Sequence, residues 1–156
     1  MLITPEYVQW VERADRYAGP GTRDRVFADI RLGYLRQSEG KLTEARVLAL
    51  RALELARKLE DPEALYSAAW GFLHSQSPPH HEEERLQLVR EMSSQLQVGA
   101  TAGTLGFWLV GGSFVLLDWG DRAGAEAMWE QLNQLAQRTN DAGLLVGSRH
   151  ARPTLA

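Results

Sequence analysis

A cluster of histidine and glutamate side chains near the middle of the chain has the residue types of a metal site. The segment Pro78–Glu84 contains His80, His81 and three consecutive glutamates. On a helix, His80 and Glu84 would face the same side, with His74 nearby, so they could share a metal ion. The spacing fixes no third ligand, and acidic residues also favour the first turn of a helix. We therefore interpret the cluster as a helix start and expect no metal and no cofactor.

Two glycine-rich segments begin like catalytic loops but lack the residues that the chemistry needs. Gly111–Val115 starts like the turn that exposes a nucleophilic serine, but that motif requires glycine where Val115 stands. Gly99–Thr104 has the glycines of a phosphate-binding loop, yet no lysine follows it and no strand precedes it. Asp118 and Asp121 lie at a turn without a matched partner for acid–base catalysis. The sequence predicts a protein that is not an enzyme.

Composition and charge narrow the class of protein further. The chain is 44% hydrophobic and 24% charged, as in one ordinary globular domain. The cysteine count is 0, which excludes disulfides, iron–sulfur ligation and thiol nucleophiles. A net charge of −3 argues against direct nucleic-acid binding. The apolar run Leu105–Leu117 falls short of the ~20 residues of a membrane span, and Met1–Pro5 lacks the pattern of a signal peptide, so we expect a cytoplasmic protein without membrane contact.

Breaker residues and caps divide the chain into segments with helical periodicity. Thr4 can cap a first helix, and the Gly19–Gly21 segment ends it. The pattern predicts helices over 4–18, 22–39, 43–59, 62–76, 82–98, 104–119 and 122–139, with a further helix that opens at Asn140–Asp141. No window alternates apolar and polar residues, so we predict no strands and an all-α fold.

The sequence also repeats internally. A shift of 80 residues places Gly40 on Gly120 and Asp61 on Asp141, and half that shift places Ile30 on Trp70. The repeating unit is therefore about 40 residues, or two antiparallel helices. We predict one helical-repeat domain over 1–156, in which 4–18 closes a preceding pair, 22–60, 62–98 and 104–139 are helix pairs, and 141–156 is part of the next repeat.

These residues resemble a tetratricopeptide repeat. Leu32–Leu35, the Gly40–Ala45 turn and the alanines Ala49 and Ala52 match its small residues and glycine turn, and Gly120–Ala125 matches again. Small residues such as Gly33, Ala45 and Ala52 would let the helices approach closely. The sequence departs from the family at Asp29 and Arg36, which stand where bulky apolar groups are usual. The resemblance implies a right-handed superhelix of antiparallel helix pairs.

The longer repeat is similar to a particular subfamily. Leu55–Pro62 at the end of a second helix, and Trp10–Ala14 before the first pair, resemble the helical-repeat regions of large bacterial regulators. Those proteins also carry a signal-transduction ATPase domain and a LuxR-type DNA-binding or nucleotide cyclase output domain. The resemblance implies a non-catalytic module that contacts a protein or peptide partner, or neighbouring domains of a parent chain. A small-molecule inducer bound in the apolar inner groove is the alternative.

The same resemblance assigns the residues of that groove. The residues expected to line it are Phe27, Ile30, Tyr34, Gln37, Trp70, His74, Phe107, Val110, Phe114 and Leu117. Burial against a neighbouring repeat is the competing interpretation of these positions. The tryptophans at 70, 108, 119 and 129 are expected in the core.

The two ends of the chain suggest self-association. The first helix carries Tyr7, Trp10, Val11 and Tyr17, more apolar surface than one neighbour would cover. The segment from Leu144 starts a helix without a partner helix. We therefore expect one section of a longer solenoid, which self-associates through an exposed end helix and frays from about Gly147.

Overall fold

The computed structural model describes residues 3–75, 82–93, 99–141 and 143–144. Within these ranges the backbone forms seven α-helices and no strand, so the all-α prediction is confirmed. The helices are α1 (Pro5–Tyr17), α2 (Arg23–Ser38), α3 (Leu42–Leu59), α4 (Pro62–His74), α5 (Glu82–Ser93), α6 (Ala102–Asp118) and α7 (Arg122–Thr139).

Threonine side chains cap the start of three of these helices. The hydroxyl oxygens of Thr4, Thr22 and Thr101 each accept the amide hydrogen of the residue three positions later, at 3.2, 3.2 and 3.3 Å. Such a cap satisfies one of the amides that the first turn leaves without a helical partner. The cap at Thr101 starts α6 at Ala102, whereas the sequence pattern predicted a start near Thr104. The predicted start was therefore two residues too late.

Three predicted helices extend to residues that the structure does not describe. The helix predicted over 62–76 is observed as α4, and residue 76 lies outside the described ranges. The helix predicted over 82–98 is observed as α5, and residues 94–98 lie outside the described ranges. At the predicted eighth helix, the Asp141 carboxylate accepts hydrogen bonds from the amides of Gly143 and Leu144, at 2.8 and 3.1 Å. The backbone at 143–144 is helical. The fraying predicted from Gly147 lies outside the described residues.

The chain divides into two compact units, 1–82 and 83–156. In the first unit α2 packs against α1, α3 and α4, and α3 also packs against α4. Val11, Leu32, Leu35 and Leu48 form a buried cluster there, which joins the first three helices. In the second unit α6 packs against α7, with Trp108 and Leu132 fully buried.

The helix pairs α2–α3 and α6–α7 share the same turns at positions 80 residues apart. Gly40 and Gly120 end the first helix of each pair with φ of 77° and 75°, in the left-handed region that favours glycine. The next amide donates to the carbonyl oxygen five residues back, at 2.8 Å in both turns. Glu60 and Asn140 end the second helices at φ of 52° and 51°. The backbone thus follows the 80-residue correspondence in the sequence.

Small side chains let α2 and α3 approach closely. A Cβ atom on Gly33 would lie 3.5 Å from the carbonyl oxygen of Ala45, which is ordinary van der Waals contact. Ala45 and Ala52 are both buried on the facing side of α3. Gly33 and Ala45 therefore meet where α2 packs against α3, as predicted, and Ala52 is buried further along α3.

Candidate interaction surfaces

The predicted groove residues of α2 are largely covered by α4. Ile30 is buried, and Phe27, Tyr34 and Gln37 are half-buried. Gly71 of α4 lies against them, because a Cβ atom there would be 3.4 Å from Ile30 Cγ2 and 3.8 Å from the Tyr34 hydroxyl. In the first unit α4 therefore packs against the Ile30 and Tyr34 part of the stripe.

Burial of Tyr34 leaves little free space around it. A cavity of about 10 Å³ lies among Tyr34, Gln37, Gly71 and Ser75, which is about the smallest space that admits one water molecule. Burial raises the pKa of Tyr34, and the positive charge of Arg31 partly opposes that change. The phenol therefore stays neutral to a higher pH than in solution.

The two predicted groove residues of α4 contact each other. The rings of Trp70 and His74 stack with centroids 3.6 Å apart and an angle of 37° between their planes. Trp70 is half-buried and His74 is exposed in the last turn of α4. This pair lies one helical turn apart, so the stacking follows from helix geometry.

The predicted groove residues of α6 have a different environment. Phe107 and Phe114 are 59% and 49% exposed, and Val110 and Leu117 between and beyond them are half-buried. These four residues, which we call the α6 stripe, recur at helical spacing on one side of α6. No charged residue occurs between Ala102 and Leu117. The second unit therefore exposes an apolar aromatic stripe where the first unit covers its counterpart.

The tryptophans divide between core and surface. Trp108 and Trp129 are buried, as predicted, and Trp70 is half-buried. Trp119 is 47% exposed, so its predicted place in the core is wrong. It lies at the C-terminal cap of α6, immediately before the Gly120 turn, where the chain leaves the helix.

A buried ion cluster connects the first three helices. Asp29 of α2 is fully buried, and its carboxylate accepts two hydrogen bonds of 2.6 Å from the Arg51 guanidinium of α3. The Arg25 guanidinium lies 2.6 Å from the same carboxylate and 2.7 Å from the Asp15 carboxylate of α1. These hydrogen bonds raise the pKa of Arg51. Each carboxylate of the cluster is held by a guanidinium, so the cluster links the three helices through charge-assisted hydrogen bonds.

Sequence analysis identified Asp29 only as a departure from the repeat pattern. The spacing of Arg25 and Asp29, four residues apart on one helix, is a signal that could have indicated an ion pair. The contribution of Arg51 depends on the packing of α3 against α2, which the spacing does not reveal.

A groove between α1 and α2 was not predicted either. It has a volume of about 350 Å³, and the alanines at 14, 18 and 28 are among its lining residues. Tyr17, which is 74% exposed, and Phe27 also line it. Of the four apolar residues that the sequence analysis singled out on α1, Trp10 and Tyr17 are exposed, whereas Val11 is buried and Tyr7 packs partly buried against the same core.

Other candidate sites receive no support in the described ranges. Those ranges contain no group of three or more histidine, aspartate or glutamate side chains that could hold a metal, and His80 and His81 lie outside them. No helix within them is long and apolar enough to cross a membrane. Comparisons of the chain with protein-family models, curated proteins and solved structures give no match.

Proposed function

We propose that the chain is a non-catalytic, tetratricopeptide-like repeat module that binds a protein or peptide partner within a larger bacterial signalling or transcriptional regulator of the cytoplasm. Two helix pairs with matching glycine turns, 80 residues apart, support the right-handed repeat architecture. Small buried residues at the crossing of α2 and α3 support it as well. Neither observation depends on the identity of the partner.

The exposed α6 stripe is the observation on which the binding function rests. Phe107 and Phe114 lie two helical turns apart on the same side of α6 and are 59% and 49% exposed, in a helix without charged residues between Ala102 and Leu117. Contiguous exposed apolar surface of this kind marks interaction sites in soluble proteins, and aromatic residues supply much of the binding energy at such sites. The favoured occupant is an apolar face of a protein partner.

The alternative function, an inducer sensor, needs an enclosed pocket along the same apolar stripe. Small-molecule sites typically have volumes of roughly 300–1,000 Å³ and bury most of the ligand. The cavity beside Tyr34 has about 10 Å³, and the α6 stripe is an exposed helix face. The groove between α1 and α2, which Phe27 of the predicted stripe lines, has about 350 Å³ but leaves Tyr17 74% exposed. Because none of these surfaces encloses a ligand, a protein partner is favoured over a small inducer.

Site-specific photo-crosslinking in the source cells tests the binding function. A photoreactive phenylalanine at position 114 should capture a partner that the same residue at Glu130, an exposed position of α7, does not capture. The captured protein is then purified and its Kd measured against Phe107→Ala and Phe114→Ala variants. Each substitution should weaken binding about tenfold, because aromatic anchors are often worth more than 1 kcal/mol.

A matched substitution on another surface provides the control. Val47→Ala removes exposed apolar surface from α3 and should leave the Kd unchanged. If Val47→Ala and Phe114→Ala weaken binding equally, the stripe is not the binding site. A thermal-shift screen with metabolites distinguishes the sensor function from the protein-binding function. A ligand at 100 times its Kd would add about 2.7 kcal/mol of stability.

A further inference from the structure

The α1–α2 groove combines apolar lining residues with two charged side chains that form no ion pair in the described part of the chain. Asp24 and Arg31 both line the groove, and neither forms an ion pair with any described residue. They lie seven residues apart on α2, which corresponds to a separation of about 10 Å along the helix axis. Phe27 and Ala28 lie between them. The groove therefore presents a negative charge, an apolar centre and a positive charge in that order.

The first unit already contains a helix that is docked on α2 in a similar way. The Asp61 carboxylate at the start of α4 lies 2.9 Å from the Arg23 guanidinium of α2. Further along, Gly71 of α4 packs closely against Ile30. A charge pair near one end and small or apolar contacts along the axis thus hold one helix against α2. The α1–α2 groove offers the same two kinds of contact on another side of α2.

We propose that the α1–α2 groove binds a short amphipathic α-helix of a protein partner, which places a carboxylate against Arg31, a lysine or arginine against Asp24, and aliphatic side chains between them. The groove is lined along two turns of α2, and the adjacent face of α1 adds Ala14 and Tyr17. A helix that lies along such a groove gains contacts over its whole length. Tyr17 is largely exposed, so the groove does not enclose a small ligand as small-molecule sites do.

Selection from a displayed peptide library tests this proposal on the full chain. The library contains helices about three turns long, with the positions on one face randomised. Peptides enriched on the wild type should carry one acidic and one basic residue about seven positions apart. Selection on an Arg31→Glu variant should instead enrich two basic residues, and selection on an Asp24→Lys variant two acidic residues. Each mismatched charge should weaken the Kd about three- to fivefold.

Replacing each of two alanines by glutamine locates the binding site. Ala14→Gln fills the groove without adding charge and should abolish binding of the enriched peptides. Ala127→Gln, the same change at an exposed position of α7, should leave binding intact. Circular dichroism of both variants confirms that they fold.

The proposal is overturned if Ala14→Gln does not weaken binding, or if the enriched charges do not follow the two reversals. It is also overturned if no peptide is enriched. NMR shifts at Tyr17 and Phe27 with a fragment library would in that case identify the groove as a small-molecule site. This groove is separate from the α6 stripe, so either surface can fail its test without the other.

Discussion

The two helix pairs α2–α3 and α6–α7 have the same turns, but at one pair of corresponding positions they bury side chains of different chemical type. Asp29 of α2 is buried with its carboxylate held by two guanidinium groups, and the residue 80 positions later, Leu109 of α6, is buried as an apolar side chain. The residues that surround this position differ accordingly. Arg25 and Arg51 of the first pair correspond to Leu105 and Gln131 of the second.

This difference shows that the helix pair does not require the ion cluster. A buried ion pair costs desolvation energy that its attraction only partly recovers, so replacing it by well-packed apolar residues is often neutral or stabilising. The cluster of the first unit has a further effect, because Arg25 also pairs with Asp15 and thereby connects α1 to α2. We infer that the cluster sets the position of α1 more than it adds to the free energy of unfolding.

The largest effect is expected when the charge alone is transferred to the second pair. Leu109→Asp buries a carboxylate where the corresponding neighbours are Leu105 and Gln131, so it should lower the free energy of unfolding by about 4 kcal/mol at pH 7. Urea denaturation measures this loss. Leu109→Asn has nearly the same volume without charge and should cost clearly less. Equal losses for both variants would show that charge is not the cause.

A smaller loss is expected when the carboxylate is removed from the first pair. Asp29→Leu leaves the largely buried Arg25 with one partner instead of two, whereas Arg51, whose side chain is 54% exposed, can turn to water. We expect a loss of about 2–3 kcal/mol, at or below the lower end for broken buried pairs. Asp24→Leu changes an exposed carboxylate of the same helix and serves as the control. Similar losses for the two variants would contradict the role of Asp29.

Replacing the whole ion cluster by the corresponding residues of the second pair should restore most of the stability that Asp29→Leu loses. The triple variant Arg25→Leu, Asp29→Leu, Arg51→Gln copies the residues of the second pair, and its free energy of unfolding should lie within about 1 kcal/mol of the wild type. A triple variant that is as unstable as Asp29→Leu would show that the first pair cannot accept the apolar arrangement. Hydrogen exchange in α1 should nevertheless rise, because Asp15 loses its partner.

The smallest effect concerns Tyr34, whose counterpart in the second pair is Phe114. Because burial raises the pKa of Tyr34, the native state keeps the phenol proton when the unfolded chain loses it. The stabilisation is complete below the unfolded pKa of about 10 and declines as the pH rises through the folded value. Tyr34→Phe should reduce the loss of stability above pH 10, measured by urea denaturation. Tyr17→Phe, which makes the same change at an exposed tyrosine, is the control. Equal pH profiles for the two variants would contradict this prediction.

The sequence predicted the local structure better than the surfaces. Helix ends at Thr4, Gly40 and Gly120 follow from caps and backbone conformation, which depend on a few neighbouring residues. The burial of Asp29 was not predicted, because a charged residue in a helix is normally solvated unless a partner such as Arg51 arrives from another helix. The exposure of Trp119 and the α1–α2 groove depend on packing between helices, which periodicity does not contain.

The predicted groove residues also show that periodicity does not predict packing between helices. Periodicity placed Ile30 and Val110 at corresponding positions of the two pairs, and the sequence alone left burial and exposure as alternatives for both. The structure covers Ile30 with Gly71 of α4 and leaves the neighbours of Val110 exposed. Which side chains a neighbouring helix covers is decided by that helix, and not by the periodic residues themselves.

Gly106 has a consequence for the fidelity of folding. A Cβ atom on Gly106 would collide with the side chain of Leu144, so this glycine makes room for a large residue at the start of the next helix. Eighty positions earlier the sizes are exchanged, with Val26 on α2 and Ala64 at the start of α4, both fully buried. If the segments that follow the two pairs were interchanged, Leu144 would overpack Val26 and Ala64 would leave a void at Gly106. Similar repeats in one chain are prone to such misassembly, and this exchange of volumes penalises it.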